Sequence, residues 1–180
     1  MPVFAALILL IFVAGPAGAQ DIDKGKEAAW RGDYTAALAE FRPLAEQGNA
    51  EAQYNLANLY RDGHGVSDDG DQAVIWYQRA AESGSWSAAL DLGMLYWGQN
   101  LNGDHKESTR GGGLVRAHMW LGIAAATEDG RCAEVSAPLH TAIAQSMTEE
   151  QIVQAQELTR AWLAEHKPTD VNIATAQPAC

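Results

Sequence analysis

Cysteine and positive charge are what this chain has least of. Its 180 residues include two Cys, and 12 Lys and Arg stand against 23 Asp and Glu, for a formal net charge of -11. Two thiols are too few for a disulfide in every structural unit or for a cysteine-built zinc module. An acidic chain is repelled at long range by nucleic acid and by anionic membrane surfaces, so neither is expected as a partner. Only 19% of residues are charged while 47% are hydrophobic, a balance that excludes extended disorder and predicts one modest domain with a buried core.

Recognisable catalytic and metal-binding patterns are missing as well. The five histidines, His64, His105, His118, His140 and His166, fall in different predicted elements, with no pair four residues apart and no Cys placed to complete a zinc site. A packing role is therefore expected for His118. No Gly-x-Ser-x-Gly elbow or Cys-His spacing marks a nucleophile, and the carboxylates are scattered over polar faces. The acids Asp68, Asp69 and Asp71 lack the spaced Gly and terminal Glu of a calcium loop. Gly111-Gly112-Gly113 could cradle a phosphate, yet no strand precedes it and no Gly-Lys-Ser/Thr follows. No catalytic residue, cofactor or metal is expected, and the chain is not expected to be an enzyme.

What is present is a repeat. Displacing the chain by 36 residues places Gly48 on Gly84, Ala52 on Ala88, Leu56 on Leu92 and Tyr60 on Tyr96, while Ala37, Phe41 and Ala45 fall on Ala73, Tyr77 and Ala81. A fixed period of this size is the mark of a solenoid whose units bury their apolar faces by stacking on one another. Within each unit the apolar residues recur at three and four, so the unit is a pair of helices. Gly63-His64-Gly65-Val66 supplies the turn of the central unit, and Ser67 to Asp71 suits the positive end of its second helix. Pro43 falls inside a predicted helix and is expected to bend it. In the third unit Trp120 follows Trp76 by 44 residues, so eight extra residues enter a polar, glycine-rich connection from Gly98 to Gly113, expected to be a mobile surface loop.

The segments AEAQYNLANLYRDGHGV, AVIWYQRAAESG, SAALDLGMLYWG and RAHMWLGIAAA together resemble Sel1-like repeats, a branch of the tetratricopeptide-like α-solenoids. The resemblance runs from about Lys24 to Ala126, with Ala57 standing where the pattern has Gly. It implies an all-α, right-handed α-α superhelix of about three hairpins plus C-terminal capping helices. It also implies an adaptor or scaffold that holds an unknown protein or peptide on its inner surface, without catalysis of its own. A cysteine-rich group of such proteins has been linked to β-lactam binding, but this chain lacks those cysteines. A hydrolase or β-lactam-binding protein on the same scaffold, and a self-associating cell-envelope protein, are the alternatives.

The expected organisation is a signal peptide over residues 1–19, an abbreviated hairpin over 20–48, repeats over 49–84 and 85–126, capping helices over 127–166 and a disordered tail over 167–180. The apolar run from Val3 to Ala14, the helix-breaking Gly15-Pro16 and the small residues Ala17 and Ala19 are expected to form a cleaved leader, with an uncleaved anchor as the alternative, and the expected location is outside the cytoplasm, periplasmic or secreted, in a suspected bacterial source. No membrane span is expected once the leader is removed. Ser136 is expected to cap a helix reaching about Ser146 with Pro138 in its first turn, and Thr148 with Gln151 to form a capping box for the last helix. Cys132 and Cys180, an even pair in an exported chain, are candidates for one disulfide; the terminal thiol could equally stay free or cross-link chains. The candidate partner-binding stripe combines Glu51, Tyr54, Asn58 and Arg61 with Leu90, Met94 and Trp97 thirty-six positions on. These residue types anchor interfaces; alternatively, the apolar half is covered by the capping helices.

Overall fold

A computed structural model of the protein describes residues 21–67, 69–101, 112–126 and 131–166. The expected leader, the tail, residues 102–111 of the glycine-rich connection, Asp68, His105 and the proposed Cys132–Cys180 bond lie outside them. Among the described residues the chain is all-helical, with α1 (Ile22–Trp30), α2 (Tyr34–Glu46), α3 (Ala50–Arg61), α4 (Gly70–Glu82), α5 (Trp86–Leu101), α6 (Gly112–Ala125), α7 (Arg131–Ala144) and α8 (Glu149–Glu165). Neighbours in sequence are neighbours in space: α1 lies on α2, α2 on α3, α3 on α4, α4 on α5 and α5 on α6. This succession of hairpins is a helical solenoid.

The 36-residue period reaches into the helix ends. Asp33 and Asp69, one period apart, accept from the backbone N–H of Ala36 at 3.1 Å and of Gln72 at 3.0 Å. Asn49 and Ser85 likewise open α3 and α5, accepting from Ala52 N–H at 2.8 Å and Ala88 N–H at 3.4 Å. Each cap satisfies an N–H that the first turn cannot pair internally. At the preceding helix ends, Asn49 N–H donates to Leu44 O at 3.0 Å and Ser85 N–H to Ala80 O at 2.8 Å. That closure forces the residue before it to positive φ, +89° at Gly48 and +96° at Gly84, which is why glycine repeats there.

The core repeats with the caps. Ala37, Phe41 and Ala45 on α2 and Ala73, Tyr77 and Ala81 on α4 are buried, as are Ala52 and Leu56 on α3 and Ala88 and Leu92 on α5. Small alanines let the backbones approach, and Gly93 carries this furthest. A Cβ at Gly93 would lie 2.7 Å from Leu121 Cγ on α6. The helix α2 continues through Pro43 to Glu46.

Two expectations are corrected. The connection between the paired helices of the third unit is shorter than Gly98 to Gly113, because α5 runs on to Leu101 and Gly112 and Gly113 already belong to α6. The first capping helix begins at Arg131, so Ser136 is a fully buried mid-helix residue rather than a cap, and Pro138 lies inside the helix. Pro138 removes one intrahelical donor, a loss that packing of α7 against α6 offsets. In α8 Thr148 and Gln151 form the capping box as expected. Both α7 and α8 lie on α6, and Trp162 of α8 meets Trp86 and Trp120 edge-on at 6.3 and 5.8 Å between ring centroids.

Candidate functional site

The polar half of the expected stripe is assembled by three helices. Helical spacing on α3 puts Tyr54, Asn58 and Arg61 in one row. Tyr54 donates its hydroxyl to Asp91 Oδ2 on α5 at 2.8 Å. Tyr77 of α4 buries its ring fully and reaches the same row with its hydroxyl, donating to Asn58 Oδ1 at 2.5 Å and accepting from Arg61 Nη1 at 2.9 Å. Arg61 also holds Asp62 in a fork, Nε to Oδ1 at 2.8 Å and Nη2 to Oδ2 at 3.1 Å, and its Nη1 lies 3.9 Å from Asp91 Oδ2.

The electrostatics follow from burial. Desolvation and the neighbouring Asp91 charge push the Tyr54 hydroxyl up to about 12, and burial raises Tyr77 further still. Asp91 is raised by burial, opposed by its hydrogen bond from Tyr54 and the charge of Arg61. The Asp62 contact is the main influence holding the Arg61 proton. One guanidinium thus faces two carboxylates, leaving the cluster with a surplus negative charge set in fixed donors and acceptors.

The other stripe residues separate. Glu51 accepts from Lys26 Nζ of α1 at 2.8 Å and joins the first two hairpins instead of the cluster. Leu90 is buried in the core, Trp97 is half-buried and Met94 is 40% exposed. The apolar half is therefore neither wholly open nor wholly covered. Tyr77 and Asp91 were not among the expected site residues. The signal for Asp91 was available: it is the only charged residue in WSAALDLGMLYWGQNL, and a lone charge on a core helix requires partners.

The described histidines fall in different elements, as expected, but two of them meet across helices. His118 is buried, as a packing residue would be, but it meets His140 of α7 with 3.7 Å between ring centroids. His64 stacks on Tyr34 at 4.0 Å. Among the described residues no group of three or more His, Cys, Asp or Glu is arranged to hold a metal. No helix among them is long and apolar enough to cross a membrane.

A stack of helical hairpins bonded across consecutive units defines the class of the chain, a helical-repeat scaffold. Residues 50–85 match the model of the Sel1 repeat family. A crystal structure of a protective antigen present in uropathogenic Escherichia coli strains, described as displaying an SLR fold, is similar over 88% of this chain with 25% identity and a TM-score of 0.66. The match takes in 33% of that antigen, so this chain spans about a third of its length. No curated protein matches the chain. The chain thus carries a Sel1 repeat at residues 50–85 within an SLR-like helical solenoid, an arrangement that supports a scaffold for protein interaction.

Proposed function

We propose that this is an exported, non-catalytic adaptor that holds a protein or peptide segment over the row of Tyr54, Asn58 and Arg61, continued by Met94 and Trp97. The observation that carries the reading is the network of Tyr54, Asn58, Arg61, Tyr77 and Asp91, which spans α3, α4 and α5 and orients polar groups before any partner arrives. Preorganisation of this kind lowers the entropic cost of association. The surplus carboxylate of the cluster suits a segment bearing a basic side chain or backbone N–H donors. The exposed thioether of Met94 and the indole of Trp97 suit an apolar side chain beside it. Export is supported by the apolar run at Val3 to Ala14 and the small residues before Gln20.

Crosslinking in the native compartment followed by mass spectrometry, with wild type and an Arg61→Glu plus Trp97→Ala variant side by side, tests both parts. Partners recovered with the wild type and lost from a folded variant are expected. Equal recovery from both would remove the row from the binding surface.

A further inference from the structure

A second feature, separate from that row, lies where the cap meets the last repeat. A cleft of about 290 Å³ is lined by His118 and Gly122 of α6, His140 of α7, and Gln156, Thr159 and Arg160 of α8. It is close to the lower size of ligand pockets, about 300 Å³, and large next to the about 30 Å³ that one water takes in the liquid.

Its hydrogen-bond inventory is one-sided. His140 Nε2 lies 3.1 Å from His118 Nδ1 and 3.2 Å from His118 O. A carbonyl only accepts, so the arrangement satisfying both contacts has His140 Nε2–H shared between the two His118 atoms. His118 Nδ1 is then an acceptor, and a neutral His118 carries its proton on Nε2. That N–H makes no hydrogen bond among the described residues, and His118 lines the cleft. Thr159 is already committed to the carbonyls of Met119 at 3.2 Å and Ala155 at 2.9 Å. Arg160 uses Nε on Gln156 O at 3.3 Å, while its two terminal nitrogens pair with no carboxylate of the described residues. The Gln156 side-chain amide has no partner among them either. The uncommitted groups are thus mainly donors, with one full positive charge. Burial holds His118 well below the usual imidazole range, at about 4, so the imidazole pair adds no second charge near neutrality. Gly122 keeps the space clear: a Cβ there would lie 3.1 Å from Thr159 Oγ1 and 3.8 Å from His140 Nε2.

We propose that the cleft between α6, α7 and α8 binds a small monocarboxylate, its two oxygens on the Arg160 guanidinium and its apolar body against the mutually tilted imidazoles of His118 and His140. A planar guanidinium matches a carboxylate through two parallel hydrogen bonds, and a single cation beside neutral rings favours a monoanion over a phosphate dianion. The carboxylate belongs to a free small molecule or to the C-terminus of a peptide.

Long-range ¹H–¹⁵N spectra of the imidazoles, together with the backbone amides of Gly122 and Thr159, read the site directly in the full chain. Four probes are titrated at neutral pH and millimolar concentration: benzoate, benzamide, N-acetyl-Gly-Leu as the free acid and the same dipeptide as its amide. Saturable shifts of His118, His140 and Gly122 with at least one carboxylate, and none with the amides, are expected. Arg160→Gln should weaken that binding by about tenfold or more with an unchanged far-ultraviolet spectrum, the size of a lost charge-assisted pair. Gln156→Ala, a second exposed position, should weaken it less. Response to benzoate alone assigns the site to free carboxylates, and response to the dipeptide acid alone assigns it to peptide C-termini. Absence of saturable shifts with either acid, equal shifts with the amides, or full affinity in Arg160→Gln would overturn the proposal.

Discussion

Gly93 is where one atom decides how closely two helices pack. Added there, a Cβ would meet Leu121 Cγ and Cδ2 at 2.7 Å and Ala117 O at 3.2 Å, the last a backbone atom with little freedom to retreat. Gly93→Ala is therefore expected to destabilise the chain by about 1–3 kcal/mol in chemical denaturation, through overpacking that outweighs the gain in helix propensity. Ala57 occupies the position one period earlier and is fully buried, so the α3–α4 contact accommodates the methyl group that the α5–α6 contact excludes. Tyr77 shows a different kind of local choice. Its equivalent on α2 is Phe41, equally buried, and the additional hydroxyl is what enters the network with Asn58 and Arg61.

For the helices, legibility followed the source of each signal. Spacing at three and four and the Thr148–Gln151 box are local, and they identified the hairpin helices and α8 from the sequence. Ser136 misled because a Ser two residues before a Pro reads as a helix start; tertiary contact with α6 lets α7 begin at Arg131 and bury that Ser. The candidate row was legible for Tyr54, Asn58 and Arg61, which share one helix. Asp91 and Tyr77 join it from neighbouring helices, and His118 meets His140 from 22 positions away, distances that no single-helix pattern encodes.

The His118–His140 contact makes the junction of α6 and α7 sensitive to acid. Burial, with the adjacent His140, lowers His118 from 6.5 to about 4, and burial lowers His140 as well. The unfolded chain takes up these protons first as pH falls, so stability should drop between about pH 6.5 and pH 4 and this contribution should level off below. Arg160 is the other charged group lining the cleft, and no carboxylate lines it to offset protonation. Unfolding midpoints measured across that range should show the decline, and His118→Gln should flatten it. An unchanged slope in the variant would assign the decline to other groups.

Across the whole molecule, each hairpin contributes a face and receives one. The outer edge at α1 buries only Gly25 and Ala28 of its own helix and leaves Trp30 87% exposed, whereas α6 is enclosed by α5, α7 and α8. Stability in such an arrangement rests on the interfaces between neighbours as much as on any one pair of helices. The closing bonds of Asn49 and Ser85 have a consequence for how this chain tolerates growth. Since Gly84 can be followed by Asn49 as readily as by Ser85, a tandem duplication of residues 49–84 joins end to end with each terminus capped and each alanine opposite its usual neighbour. The lengthened protein is expected to fold with one extra hairpin, seen as a proportional rise in helical circular dichroism and a longer maximum dimension in small-angle scattering, while a duplication cut a few residues out of phase should aggregate.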